Sequence, residues 1–380
     1  VKLRPIEVVV CDDSAVVRGL LVKALETDPD VHVAGTAPNG QALLRALERT
    51  PADVVLLDVE MPVMDGLQAL PRILSQFPGL PVIMASAHTR EGAATTVEAL
   101  ALGAAGCIAK PTATSVAASI ELLTHDLLPL VKAVARRDRS LVQPTGASVE
   151  TSRSAPAAVR TPAASPRRES SLTRKPEHRP FGGGLPEAIV IGTSTGGPNA
   201  LSIVATGLAS EIEQPIFIVQ HMPPLFTPLL AKRLEKDAGR PGAEGVNGQV
   251  VQRRRIYVAP GDFHMEVARR EREVFTTLHQ GPPEHYCRPS VNPLFRTAAE
   301  IYGNKLVAVM MTGMGDDGIE GTREIIARGG YVIAQDEASS VVWGMPGAVV
   351  REGLAHEVLP LDGIAAALHR VCLRAEIATA

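Results

Sequence analysis

Glu187-Ala188-Ile189-Val190-Ile191-Gly192 runs directly into Thr193-Ser194-Thr195-Gly196-Gly197-Pro198. The unbroken apolar run reads as a strand buried on both faces, and the change to small residues and proline reads as a sharp turn opening a helix. Gly192, Ser194 and Gly196 have the G-x-S-x-G spacing of a nucleophile elbow, in which glycines relieve crowding and the hydroxyl stands clear above a parallel sheet. Unpaired amides in the first helical turn favour negative charge, so the same turn suits an oxyanion. A glycine-rich strand-to-helix turn also suits phosphate, but this one lacks the Walker lysine and the G-x-G-x-x-G spacing.

Outward from this turn, short apolar strands alternate with amphipathic helices in two blocks. After Gly184, strands are expected at Ala188 to Ile191, Ile216 to Val219, Leu306 to Met311 and Tyr331 to Ala334. Between them Val250 to Val258, Phe263 to Ala268 and Glu273 to Leu278 read as antiparallel hairpins at a sheet edge, turned by Pro260-Gly261-Asp262 and Arg270-Glu271-Arg272. The earlier block has strands at Ile6 to Cys11, His32 to Thr36, Val54 to Leu57, Val82 to Ala85 and Gly106 to Ile108. The fold class is α/β, with two doubly wound parallel sheets: a flavodoxin-like one, then a Rossmann-like one carrying an antiparallel edge hairpin.

At 380 residues, 45% hydrophobic and 21% charged, the chain exceeds one ordinary core, and two domains are expected. Their bounds read as 1–136 and 185–380. The stretch 137–184 has no hydrophobic period, is interrupted by six prolines from Pro144 to Pro180, and is expected to be a flexible linker. Its basic residues Arg167, Arg168, Arg174, Lys175 and Arg179 fit a solvated charge run or a site for an anionic partner. A net charge of −3 gives no reason to expect nucleic-acid binding, and no basic recognition helix follows the linker. No run of about 18 uncharged apolar residues marks a membrane span, and the start enters a strand without a secretory apolar region, so a cytoplasmic location is expected. Cys11, Cys107, Cys287 and Cys372 lack zinc or disulfide spacing and read as reduced thiols, none of them a candidate nucleophile.

In the first block Asp12, Asp13, Asp58, Ser86 and Lys110 all fall at the carboxyl edge of one parallel sheet, where such folds bind ligands. Three carboxylates repel one another unless a cation neutralises them, and an all-oxygen set suits Mg²⁺. Taken alone, Asp12 and Asp13 would also serve as caps of the first helix beside Ser14. In the second block Ser194 needs a base. His221 follows the strand ending at Val219 and lies on the same edge as Ser194. Asp317, in the glycine-rich turn Thr312-Gly313-Met314-Gly315-Asp316-Asp317-Gly318, brings a carboxylate there to fix the imidazole tautomer. Either aspartate would also serve as a helix cap.

Asp12-Asp13, Asp58 with Met61-Pro62 and Asp65-Gly66, Ser86, and Lys110-Pro111 resemble the receiver domain of bacterial response regulators over residues 5 to 125. That resemblance implies phosphorylation of Asp58 by a CheA-type histidine kinase. It also implies Mg²⁺ held by Asp12, Asp13, Asp58 and the Glu60 carbonyl, and phosphoryl sensing by Ser86 and Lys110. Cys107 stands where a switch Tyr or Phe is usual. The segments GTSTGGP, VQHMPP, YVAPGDFHM, RPSVNPLF, MTGMGDDG and WGMPGAV resemble the CheB methylesterase catalytic domain over about 186 to 374. Catalysis by Ser194, His221 and Asp317 is implied, supported by Thr195 and the Met314 amide, and ester hydrolysis is expected to need no cofactor. Asp316 stands where Asn is common, which places a further negative charge near His221. The implied activity is demethylation of glutamate methyl esters, with deamidation of selected glutamines, on methyl-accepting chemoreceptors in receptor arrays. A receptor-binding adaptor without turnover is the rival reading, and the intact triad speaks against it.

Overall fold

The computed structural model describes residues 4–86, 89–110, 115–141, 184–208 and 210–373. Linker residues 142–183 with their basic cluster, Pro111 and both termini lie outside the described residues. The first sheet is built from β1 (Ile6–Cys11), β2 (Val31–Ala37), β3 (Val54–Asp58), β4 (Val82–Ser86) and β5 (Gly106–Ala109), ordered β2-β1-β3-β4-β5 and parallel throughout. Its crossovers are α1 (Ala15–Leu25), α2 (Gly40–Leu47), α3 (Gly66–Gln76) and α4 (Arg90–Leu102), and α5 (Val116–Leu141) follows β5. The order reverses between β1 and β3, so Asp12, Asp13 and Asp58 meet at a topological switch point. Ser14, not either aspartate, caps α1, its side chain accepting from the Val17 N–H. The last helix runs five residues beyond the expected boundary at 136, to Leu141.

The second sheet orders seven strands as β15-β14-β13-β6-β7-β10-β8. These are β6 (Ala188–Thr193), β7 (Ile216–Gln220), β8 (Gly242–Glu244), β10 (Ile256–Val258), β13 (Leu306–Met310), β14 (Tyr331–Gln335) and β15 (Glu357–Leu359), all parallel. Helices α6 (Gly197–Thr206), α7 (Thr227–Ala238), α8 (Val291–Tyr302), α9 (Ile319–Ala327), α10 (Met345–Arg351) and α11 (Leu361–Cys372) flank it. Both central strands, β6 and β13, are buried at every residue, which is why they read as continuous apolar runs. The sheet winds outward in opposite directions from this pair, and Ser194 and Asp317 follow its two members.

The expected antiparallel hairpin is present, but outside the main sheet. β11 (His264–Arg270) and β12 (Glu273–His279) do pair antiparallel around the Arg270-Glu271-Arg272 turn, but with β9 (Gln249–Val250) they form a separate three-stranded sheet. The C-terminal part of the expected first hairpin strand, 256–258, instead lies parallel inside the main sheet between β7 and β8. An Ile-Tyr-Val run buried at every residue belongs in a two-sided core, whereas β12 is buried only at Thr276. Short β8 and β15, with three residues each, carry too little pattern to be read in advance.

The two blocks touch. α4 packs on α6 and α7, and a single apolar cluster joins Val97 and Leu100 to Ala200, Leu201, Met222 and Phe226. On the other side Val341 and Val342 pack against the cluster that contains Leu127, Leu130 and Val131 of α5. The face formed by α4, β5 and α5 thus lies over the carboxyl edge of the second sheet. No helix among the described residues is long and apolar enough to cross a membrane.

Candidate active site and acceptor site

Ser194 leaves β6 on a backbone held from two sides. Its N–H donates to the Thr312 carbonyl at 3.0 Å, and its carbonyl accepts from the Gly197 N–H at 2.8 Å. Gly196 adopts a left-handed φ of 79°, and a Cβ there would meet Val341 Cβ at 2.6 Å, so glycine alone fits. The hydroxyl of Thr193 donates to the Thr312 carbonyl and that of Thr312 to the Thr195 carbonyl, tying the elbow to the loop after β13. That loop approaches so closely that a Cβ on Gly313 would lie 2.9 Å from Ser194 Cβ. The Gly313 carbonyl accepts from the N–H groups of Gly344 and Met345, which fixes the loop against α10. Met314 follows, 42% exposed, its N–H without a hydrogen-bond partner among the described residues.

His221 lies just past β7, its N–H donating to the Thr193 carbonyl at 3.2 Å. Its Nε2 is 2.7 Å from Asp317 Oδ2, while its Nδ1 is 3.5 Å from the Sγ of Cys287. Asp317 is 2% exposed and also accepts from the Ser290 hydroxyl and the Val291 N–H, both at 2.7 Å. Burial raises its carboxyl, but the His221 hydrogen bond and the two other donors outweigh this and hold it below the ordinary carboxylate value. Burial disfavours charge on His221, yet the bond to Asp317 and the Cys287 contact push the imidazole up to about 9. Ser194 and His221 face one cavity of about 150 Å³, which Leu100, Cys107 and Leu130 of the first block also line.

Sequence reasoning therefore named the three members that the fold brings to one edge. It missed the residues that hold them: Gln220, whose Nε2 donates to the carbonyls of Ser194 and His221, and the pair Thr312 and Ser290. Gln220 adjoins His221, and Thr312 and Ser290 lie inside segments already quoted. The Asp316 carboxylate is paired with His285 Nδ1 at 2.9 Å, and it is not among the groups that shift His221. The four cysteines form no disulfide, and Cys107 lines the shared cavity with its thiol pushed by burial up to about 12.

At the other sheet the ligand atoms of Asp12, Asp13 and Asp58 all lie within 4.8 Å of one another. Lys110 Nζ stands 2.9 Å from Asp12 Oδ2 and 2.6 Å from Asp58 Oδ2, and burial together with the Asp12 charge leaves the Asp58 carboxyl pushed up to about 6 despite that ammonium. Three hard oxygen donors whose mutual repulsion one ammonium offsets only in part fit a divalent cation. Ser86 Oγ donates to the Gly92 carbonyl in the first turn of α4 at 3.0 Å, so the sensing position is linked to the helix that touches α6 and α7.

An acidic sheet edge with a buried lysine, beside a Ser–His–Asp edge, is the make-up of a response regulator with a hydrolase output. The family model described as CheB methylesterase matches residues 189–368, and that described as Response regulator receiver domain matches 8–120. A protein-glutamate methylesterase/protein-glutamine glutaminase of Rhodopseudomonas palustris (strain BisB5) is 44% identical over 97% of this chain and 94% of its own length. One from Rhodospirillum rubrum is 46% identical over 95% and 94%. The crystal structure of the Thermotoga maritima CheB methylesterase catalytic domain is 41% identical, covering 48% of this chain and 97% of that chain with a TM-score of 0.47. The chain belongs to the CheB family of protein-glutamate methylesterases/protein-glutamine glutaminases. It is an enzyme of that family, a hydrolase placed under phosphorylation control for chemotactic adaptation.

Proposed function

We propose that Ser194, His221 and Asp317 carry out ester hydrolysis on glutamyl methyl esters of chemoreceptors, and that Asp58 is the phosphorylation site controlling access to them. The carrying observation is the 2.7 Å bond from a buried Asp317 to His221 Nε2, with His221 and Ser194 lining one cavity. Ser194 Oγ attacks the ester carbonyl while its proton passes to Nδ1. The oxyanion is held by the unpaired Met314 N–H, with Thr195 beside the nucleophile. His221 then protonates the departing methanol, and a water molecule, deprotonated by the same nitrogen, releases the glutamate. Asp317 stabilises the imidazolium in both steps. The same acyl chemistry deamidates glutamine more slowly, since an amide is the poorer leaving system. These steps use side chains and backbone amides alone.

In the receiver, Asp12, Asp13, Asp58 and the Glu60 carbonyl would hold Mg²⁺, which when bound supplies charge neutralisation for phosphoryl transfer. Lys110 and Ser86 then engage the phosphoryl group on Asp58. The partners are a CheA-type histidine kinase and methyl-accepting chemoreceptors, met at receptor arrays from the cytoplasm. Residues 1–136 act as receiver, 137–184 as linker and 185–380 as catalytic domain. The test is methanol release from methylated receptor membranes, with and without a phosphodonor. Wild type should release methanol and respond to the donor, and Ser194→Ala should release almost none; a Ser194→Ala enzyme close to wild type would reject the assignment.

A further inference from the structure

The hydrogen bonds of the His221 ring go to Asp317 and Cys287, and none joins it to Ser194 among the described residues. The thiol arrives from a built turn. Glu284 and Cys287 exchange backbone hydrogen bonds at 3.2 and 2.9 Å, and the two residues between them, His285 and Tyr286, both hold left-handed φ values, 49° and 62°. A side chain other than glycine seldom adopts that region, and two in succession persist only where the surroundings enforce it. Here they do. Arg296 on α8 grips the Glu284 carboxylate with two hydrogen bonds of 2.8 and 2.7 Å, and Arg288 is bonded to Asp262 and to the Gly281 carbonyl. His285 is held between Asp316 and Glu320 at 2.9 and 3.1 Å. The groups facing the His221 ring are therefore the Asp317 carboxylate on one nitrogen and the Cys287 thiol on the other; the nearby acids Asp316 and Glu320 are engaged by His285.

We propose that Cys287 is a positioning residue for the hydrolysis, fixing the orientation of the His221 ring through Nδ1 in both of its protonation states. This rests on the triad reading above. A thiol is a weak donor and a weak acceptor. It can donate S–H to the bare Nδ1 of the neutral base, and its sulfur can accept from the N–H of the imidazolium once the proton has been taken. At 3.5 Å the contact is loose enough for a serine hydroxyl, the stronger donor, to displace it when substrate settles the elbow. The ring keeps a partner throughout the cycle, and neither partner blocks the base.

The experiment is steady-state methanol release by phosphodonor-activated full-length protein, measured across pH for wild type, Cys287→Ala, Cys287→Ser and Ser194→Ala. Cys287→Ala should lower kcat roughly three- to tenfold with KM nearly unchanged, a fraction of the 10²–10⁴ that a placed base contributes. Its acid limb should move to lower pH, because the imidazolium has lost an acceptor. Cys287→Ser, which keeps a group that both donates and accepts, should recover part of the rate and part of the shift, and it carries the test if the alanine variant fails to fold. Wild-type kcat and an unmoved acid limb in the folded variants overturn the proposal. So does a lower rate with an unmoved limb, which marks a residue that only packs. Substantial turnover by Ser194→Ala instead overturns the triad reading itself, so the two failures are distinct.

Discussion

A histidine serves as general base only while it is unprotonated, and the environment of His221 sets when that is. Its imidazole is raised from 6.5 to about 9, so hydrolysis by the resting full-length protein should climb with pH and reach half its plateau near 9. A pH–rate profile on receptor membranes checks this, and a plateau already complete at pH 7 contradicts it. The same shift ties stability to pH. Protonated His221 contributes fully below its ordinary 6.5, and the contribution is lost as pH rises through about 9. Melting temperature should therefore fall across that window, and Asp317→Asn should flatten the fall. Asp317→Asn should also cost on the order of 10⁴ in kcat by imposing the wrong tautomer, and adding Ser194→Ala should worsen it little. The Asp58 carboxyl, raised to about 6, gives a second expectation. Its proton stabilises the receiver at low pH, and that contribution is lost as pH rises from the ordinary 3.8 through about 6. Mg²⁺ should accordingly raise the melting temperature more at pH 8 than at pH 5, and Asp58→Asn should shrink that difference. Equal gains at both pH values would place cation binding elsewhere.

The elements differ in how plainly they could be read. β6 and β13 are buried on both faces and bounded by glycine-rich turns, so the run, the turn and the hydroxyl between them were legible together. Asp317 was legible for the same reason. What escaped was anything fixed by long-range packing: the antiparallel strands could be seen, but not that they leave the main sheet, and β8 and β15 are too short to show a period. Cys287 was visible only as a thiol without metal spacing, because its contact with His221 spans 66 residues of sequence. The loop after β13 offers a test at this scale. Gly313→Ala would put a methyl group 2.4 Å from Met345 Sδ and 2.9 Å from Ser194 Cβ. The loop must shift, at a cost of about 1–3 kcal/mol, and the Met314 N–H shifts with it. We expect a folded protein with a lower melting temperature and hydrolysis reduced at least tenfold, and undiminished kcat would show that this amide does not hold the oxyanion.

At the scale of the whole chain, α4, β5 and α5 lie across the edge that carries Ser194. Ser86 bonds to the Gly92 carbonyl at the start of α4, and α4 packs on α6 and α7, so an event at Asp58 has a short physical route to the covering contact. Only about 1.4 kcal/mol of change in that contact gives a tenfold change in exposed enzyme. A fragment beginning near Phe181 should therefore outperform unphosphorylated full-length protein at equal concentration in methanol release. If the two are equal while phosphorylation still activates, the receiver works by recruitment and not by covering.

The cover does not fill the site. It leaves Ser194 and His221 beside a space of about 150 Å³, room for a small molecule and far too little for a receptor helix. The resting protein is in that respect a sieve: its restraint selects by bulk and leaves Ser194, His221 and Asp317 together on one edge. Small water-soluble methyl esters should then be hydrolysed at similar rates whether or not Asp58 is phosphorylated, while esters on receptor helices depend on the phosphate. Equal dependence for both would move the switch from the doorway into the triad.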